Sequence, residues 1–369
     1  MIKLSVPDVG EDELRELKKV LDSKWLVQGE KVDEFENLVK NYLGIKNVIA
    51  VSSGTAALHL ALLAIGIMPG DEVIVPDFTF PATANVVEIV GATPRFVDID
   101  INSFNIDVNK IEREINDKTK AIIPVHEFGC PAEMDKIIEL AKKYNLRVIE
   151  DAACALGSEY KDKKVGTIGD IGCFSLHPRK NITTGEGGLV VTNNDEFAKK
   201  VKILRNHGIN IENGKIEFIL PGFNYRMTNL QGALGVIQIK KIDKIYEERK
   251  KIVDEYNRLL KDLDLIRLPN EAIVGKHIWQ TYHILLDNRM DRNRLLKYLR
   301  ENDIECNYGA YAVHNEPYYK NKYKYNDDDF YNSIYAATKG VALPLHSKLG
   351  MKVVKYLVDK IKSFCNDNG

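Results

Sequence analysis

One lysine, Lys180, stands in the stretch Ser175 to Gly188, SLHPRKNITTGEGG, between two apolar runs, Gly172 to Leu176 (GCFSL) and Leu189 to Thr192 (LVVT). Both runs have the content of short buried strands, and Gly185, Gly187 and Gly188 mark a tight backbone between them. The lysine is therefore expected at a strand end. A primary amine there condenses with an aldehyde when desolvation or a neighbouring cation such as Arg179 keeps part of it unprotonated. A lysine in a glycine-rich turn is otherwise an ordinary solvated group. Which of the two it is depends on the groups the rest of the chain brings to it.

Two further stretches carry usable chemistry. The β-rich run Asn47 to Val51 passes through Ser53, Gly54 and Thr55 into AALHLALLAIG, a helical pattern ending at Gly66. A strand, glycine turn and helix in that order leave backbone N–H groups and the positive end of a helix dipole free, an arrangement that binds phosphate, although the same tripeptide also caps helices that bind nothing. Asp151 closes the apolar run Leu146 to Asp151 (LRVIED). It either caps the next segment or holds a cation at the strand end, while Glu150 points to the opposite side of the strand.

SLHPRKNITTGEGG resembles the pyridoxal phosphate (PLP) segment of the DegT/DnrJ/StrS family of sugar-nucleotide aminotransferases, which belong to the fold-type-I PLP enzymes. The resemblance covers essentially the whole chain and is most specific from Asn47 to Arg226. It implies that Lys180 binds PLP covalently, that Asp151 pairs with the pyridine nitrogen, and that Ser53, Gly54, Thr55 and Ser175 hold the phosphate. It further implies that Phe80, the second aromatic of DFTFPATAN, stacks on the ring, and that Asn224 reaches the phosphate of the partner subunit in a homodimer with shared sites. Trp25, Arg226, Tyr311 and His314 are expected to contact the substrate, although Trp25 has an equally simple reading as helix-cap packing, and His177 reads as structural. Three residues after the aspartate, many relatives carry Gln, Glu or His able to reach the cofactor's phenolic oxygen. This chain has Cys154, a weak donor.

The elements that must position these groups alternate. Runs Glu72 to Pro76, Thr93 to Asp100 and Lys120 to Val125 read as strands, with helical patterns through Ile89, around Val108 to Ile115 and over Met134 to Tyr144. Such alternation predicts an α/β fold with a mainly parallel sheet, of the seven-stranded type in the resembled family, covered by helices on both faces, with ligands at the carboxyl ends of the strands. Two amphipathic helices, Glu11 to Leu21 and Val32 to Tyr42, precede it, and a long helix, Asn229 to Leu260, follows. Beyond Leu265, strands at His277 to Leu286 and Ile304 to Tyr308 and helices at Asp291 to Asn302 and Met351 to Cys365 suggest a small α+β domain. The expected division is a large PLP-binding domain, residues 1–245, and a small C-terminal domain, residues 246–369.

Composition excludes several classes. Lys+Arg number 52 and Asp+Glu 53, so no charge excess points to nucleic acid or an anionic membrane. The five cysteines are scattered singly, which argues against a disulfide framework and against a zinc site. No stretch has the length or apolarity of a membrane span or a signal peptide, and a cytoplasmic location is expected. The function expected is transfer of an amino group from glutamate to a nucleotide-diphosphate-linked keto sugar, in amino-sugar or surface-polysaccharide biosynthesis. PLP-dependent sugar dehydration competes with it, as does a non-catalytic regulatory role in the same family. Lysine at position 180 favours transamination, since the dehydratases of the family carry His there.

Overall fold

The computed structural model describes residues 1–212, 214–271 and 274–368. Helices α1 (Glu11–Ser23) and α2 (Glu30–Leu43) open the chain and end at residues in the left-handed conformation, Lys24 and Gly44. Then come β1 (Asn47–Val51), α3 (Gly54–Ile65), β2 (Glu72–Pro76), the two-residue β3 (Phe78–Thr79), α4 (Ala82–Ile89) and β4 (Thr93–Val97). The short α5 (Val108–Ile111), β5 (Thr119–Ile122), α6 (Met134–Tyr144) and β6 (Arg147–Asp151) continue the alternation. A small hairpin, β7 (Glu159–Tyr160) and β8 (Lys163–Lys164), leads to β9 (Ile171–Ser175) and β10 (Gly188–Thr192), which flank Lys180. Helix α7 (Asp195–Arg205) and an exposed hairpin, β11 (Ile209–Glu212) with β12 (Lys215–Phe218), precede the long α8 (Asn229–Leu260). Thr228 and Gln231 close a reciprocal capping box at the start of α8.

Seven strands form one sheet in the order β1-β10-β9-β6-β5-β2-β4. The five from β9 to β4 are parallel, and β10 runs antiparallel between β1 and β9. Strands such as β2 (EVIVP) and β10 (GLVVT) are apolar and buried nearly throughout because both faces of the sheet are covered. On one face lies α3, which is apolar all round, with Ala57, Leu60, Ala61, Leu62 and Ala64 fully buried. Full burial of one such leucine contributes about 1.5–3 kcal/mol. The start of α3 is thereby locked onto the sheet. On the other face, α2 and the first half of α8 share a core that includes Phe35, Val39, Val236, Ile239 and Ile245.

The rest of the chain contributes β13 (Ile266–Arg267), β14 (Tyr282–Leu286), α9 (Arg292–Glu301), β15 (Tyr311–Ala312), α10 (Pro317–Tyr323), α11 (Tyr331–Lys339), β16 (Gly340–Leu343) and α12 (Met351–Asn368). An antiparallel sheet β13-β14-β16 builds a second core with the latter half of α8, through Val253, Tyr256, Trp279, Tyr282 and Leu357. Strand β15 pairs with β3 and so ties this part to the edge of the large sheet.

Two expected strands differ. Ile304 to Tyr308 makes only isolated bridges, Ile2 to Ile304 and Asn307 to Ala342, because its partners meet it at single points. In His277 to Leu286 only Tyr282 onward is a strand. The first half bends back, with Trp279 at a φ of 53° and the N–H groups of Ile278 and Gln280 bonded to Gly129 and Phe128. Those bonds go to the loop after β5 and take the segment out of the sheet.

Candidate active site

The carboxyl ends of β6, β5 and β9, the turn after β1 and the segment after β2 converge on one cleft of about 260 Å³. Its lining includes Ser53, Gly54, Thr55, Phe80, Asp151, Cys154, Ser175 and Lys180, which sequence reasoning had nominated. Residues from the second part of the molecule, among them Gln280, Asn307 and Leu343, close the other side.

The phosphate candidate is built by backbone. Ser53 caps α3, its Oγ accepting from Ala56 N at 3.0 Å, which leaves the N–H groups of Gly54 and Thr55 without acceptors in the helix. A Cβ on Gly54 would lie 2.8 Å from Ser175 Cβ, and one on Gly188 would lie 2.3 Å from the Ser53 carbonyl oxygen. The turn after β1 approaches the end of β9 and the start of β10 closely only because Gly54 and Gly188 carry no side chain. Gly54→Ala is therefore expected to weaken PLP retention about tenfold, or about 1.4 kcal/mol, and to lower the melting temperature without cofactor as well, since the added methyl must push Ser175 away; an absorbance titration and a thermal melt measure the two effects.

Asp151 ends β6 and is buried. Its Oδ2 accepts from Thr83 Oγ1 at 2.8 Å and its Oδ1 from Ala153 N at 3.1 Å. Burial raises its pKa, against the two hydrogen bonds and the charge of Lys180. An anion so placed is stabilised by a cation in the cleft. Glu150, its neighbour in the strand, points to the other side, where it meets His126 Nε2 at 3.0 Å and accepts from the backbone of Gly166, Ile168 and Gly169.

Lys180 follows β9 in a turn closed by its own N–H on the carbonyl of His177. It is half-buried, and its Nζ donates to Cys154 Sγ at 3.0 Å. Burial opposes its charge, but Cys154, Glu127 and Asp151 outweigh burial, so the pKa of the free amine is raised. This reverses the expectation that desolvation or Arg179 lowers it. Arg179 is exposed, whereas the acids face the amine across the cleft.

Phe80 is 57% exposed and lines the cleft, whereas Phe78 is fully buried in the core; the chain leaves β3 after Thr79, so Phe80 does not share the face of Phe78. Tyr311 pairs with Thr79 and sets its ring 6.4 Å from Phe80, edge to face, at the rim. His177 also lines the cleft, its Nδ1 accepting from Arg179 N.

Besides Tyr311, four nominated residues do not line the cleft. His314 is 1% exposed; its backbone N–H and Nδ1 lie 2.7 Å from the two oxygens of Asp77, and its ring stacks on Phe330 at 4.3 Å. It joins β3 to the segment after β15, and its assignment as a substrate contact is corrected on that ground. Trp25 is 60% exposed, its Nε1 donating to the Gln28 carbonyl and its own carbonyl accepting from Asn229 at the start of α8. Arg226 bonds Asn206 at 2.6 Å. Asn224 is exposed and bridges to Asn206 through its backbone.

Thr83 and Glu127 were missed. Thr83 lies on the inner side of α4 and is bonded to Thr79 and Asp151; a threonine in a short helix carries no signal of that role. Glu127 follows His126 in a loop that reads as ordinary, and only the fold brings it to Lys180.

Among the described residues no helix is long and apolar enough to cross a membrane, and no cluster of His, Cys, Asp or Glu is arranged to hold a metal ion.

The family model described as the DegT/DnrJ/EryC1/StrS aminotransferase family matches residues 7–362. The chain is 40% identical over 352 residues to the GDP-perosamine synthase of Caulobacter vibrioides, covering 94% of each. It is 36% identical over 371 residues to the spore coat polysaccharide biosynthesis protein SpsC of Bacillus subtilis, covering 97% of this chain and 95% of that one. Among solved structures, Helicobacter pylori PseC, an aminotransferase involved in the biosynthesis of pseudoaminic acid, superposes with a TM-score of 0.94 at 30% identity over 99% of both chains. Spr1654 of Streptococcus pneumoniae in its PLP form does so with a TM-score of 0.93 at 29% identity, over 100% of this chain and 99% of that one.

Proposed function

The chain belongs to the DegT/DnrJ/EryC1/StrS aminotransferase family, and on that premise we propose that it is a PLP-dependent transaminase that moves an amino group from glutamate to a nucleotide-diphosphate-linked keto sugar. The observation that carries the reading is the meeting of Lys180, Asp151 and the Ser53 to Thr55 turn in one cleft. The residues present fit the cofactor. Gly54 leaves a cradle that a Cβ would fill, and Asp151 is a buried carboxylate in need of a cation.

In this reading Ser53, Gly54, Thr55 and Ser175 hold the phosphate, Phe80 covers one face of the ring, and Asp151 keeps the ring nitrogen protonated by ion pairing. Bound PLP supplies an electron sink that lets a proton leave the carbon bearing the amino group. The protein's own work is proton transfer. Nζ of Lys180 accepts the α-proton of the amino donor and, in the second half, delivers a proton to the sugar carbon that becomes amine-bearing. Asp151 serves that base too, because a carboxylate paired with the ring nitrogen no longer holds a proton on Lys180. Lysine rather than histidine at position 180 supports transamination over dehydration. The test is a panel of nucleotide-linked keto sugars offered with glutamate, GDP-linked ones first because of the perosamine synthases. An aminated product supports the reading, and loss of water without amination overturns it.

Each active site is completed by a second copy of the chain. What supports this is that Asn224 is exposed and outside its own protomer's cleft, while the phosphate cradle uses only neutral groups of that protomer. Mixing Lys180→Ala with an inactive Asn224 variant then yields heterodimers having one natural site and one doubly damaged site. Recovery towards about half of natural activity per heterodimer is expected. Heterodimers that form and stay inactive would place Asn224 at its own chain's cofactor, or at none.

A further inference from the structure

Glu127 is a cleft carboxyl that the reaction above leaves unused. It is 5% exposed and lines the cleft together with Lys180, Asp151 and Cys154. The backbone holds it there: its N–H donates to Asn105 Oδ1 at 2.8 Å, and the next residue, Phe128, is packed in the core with a φ of 54°. No side chain among the described residues hydrogen-bonds to the carboxyl. The carboxyl keeps one backbone contact, at Phe128, and faces Lys180 across the cleft, so a bound group can take its remaining hydrogen bonds.

Its titratable surroundings determine its form. Lys180, Asp151 and Cys154 face it in the cleft; His277, His283 and Cys130 line a small cavity behind it. Burial keeps both histidines neutral, pushing them down to about 3 and about 4, and the Cys130 thiol up to about 12. Burial, opposed by the Lys180 charge and reinforced by Asp151, pushes Glu127 up to about 8. A carboxyl displaced in that direction takes up a proton more readily than an exposed one and can then serve as an O–H donor. The other donors beside Lys180 are weaker or committed. Burial keeps Cys154 a thiol, and the Thr83 hydroxyl is given to Asp151.

We propose that Glu127, which lines the cleft beside Lys180 and Cys154, would donate a hydrogen bond to the phenolic oxygen of the cofactor, a contact that the thiol of Cys154 is too weak to make. The inference rests on the PLP reading. A donor on that oxygen stabilises its negative charge, so the nitrogen that joins Lys180 to the cofactor gives up its proton more readily.

The test is spectroscopic and independent of turnover. Wild type, Glu127→Gln and Glu127→Leu are loaded with PLP, and the midpoint of the pH-dependent change in the visible absorption is recorded. The midpoint in Glu127→Leu is expected about one pH unit higher, the size of a lost hydrogen bond to a charged oxygen. In Glu127→Gln, whose amide still donates, it is expected to stay near the wild-type value. An unmoved midpoint in Glu127→Leu overturns the proposal. So does a glutamine variant shifted as far as the leucine one, since charge and not a donated bond would then be acting. If the leucine side chain prevents loading, Glu127→Met takes its place in the same comparison. A wild type that acquires no visible band on loading would instead refute the PLP reading beneath it.

Discussion

Lys180→Ala is expected to lower turnover by about 10⁴-fold or more while leaving the protein folded and able to bind PLP. Loss of a positioned general base alone accounts for 10²- to 10⁴-fold in typical enzymes, and this lysine is also the group to which the cofactor is joined. The fold does not depend on it. Its Nζ makes one hydrogen bond, to a thiol, and its backbone turn is closed by main-chain atoms. Retention rests on the backbone of the Ser53 to Thr55 turn, Ser175 and Asp151, all untouched by the substitution. A single-turnover assay with the loaded variant separates the two effects, and a variant that kept more than about a hundredth of wild-type turnover would contradict the assignment of Lys180 as the base.

Asp151→Asn is expected to cost about 10²- to 10³-fold in kcat, the range for one preorganised electrostatic contact, with a much smaller effect on cofactor binding. The amide keeps the shape: its oxygen can still accept from Ala153 N, and its NH2 can donate to Thr83 Oγ1 once that hydroxyl turns, so the local structure is preserved. What it removes is the negative charge that keeps the ring nitrogen protonated. A rise in the cofactor's dissociation constant with kcat preserved would instead mean that Asp151 only holds the ring in place.

Sequence shows both of these residues readily. Lys180 and Asp151 sit at the ends of apolar runs, so their place at the carboxyl edge of a parallel sheet follows from local pattern. The Ser53 to Thr55 turn is legible for the same reason, since a strand, a glycine and an apolar helix follow one another without interruption. The insertion of β10 antiparallel between β1 and β9 is not local. It brings Gly188 against Ser53, and no spacing along the chain announces that. Thr83 and Glu127 were missed because a hydroxyl on a short helix and a carboxyl in a loop acquire meaning only from what the fold places opposite them. His314 shows the converse. It is expected from the sequence to contact the substrate, yet two bonds to the buried Asp77 commit it to joining β3 to the segment after β15. Local pattern placed the chemistry, and tertiary packing decided which neighbours completed it.

The most direct test of the central claim is borohydride reduction of the PLP-loaded protein followed by digestion and mass mapping of the labelled peptide. The account predicts one reduced cofactor per chain, attached to Lys180 within SLHPRKNITTGEGG. A label on Lys163 or Lys164, or no stable label on a protein that binds PLP and transaminates, would contradict it.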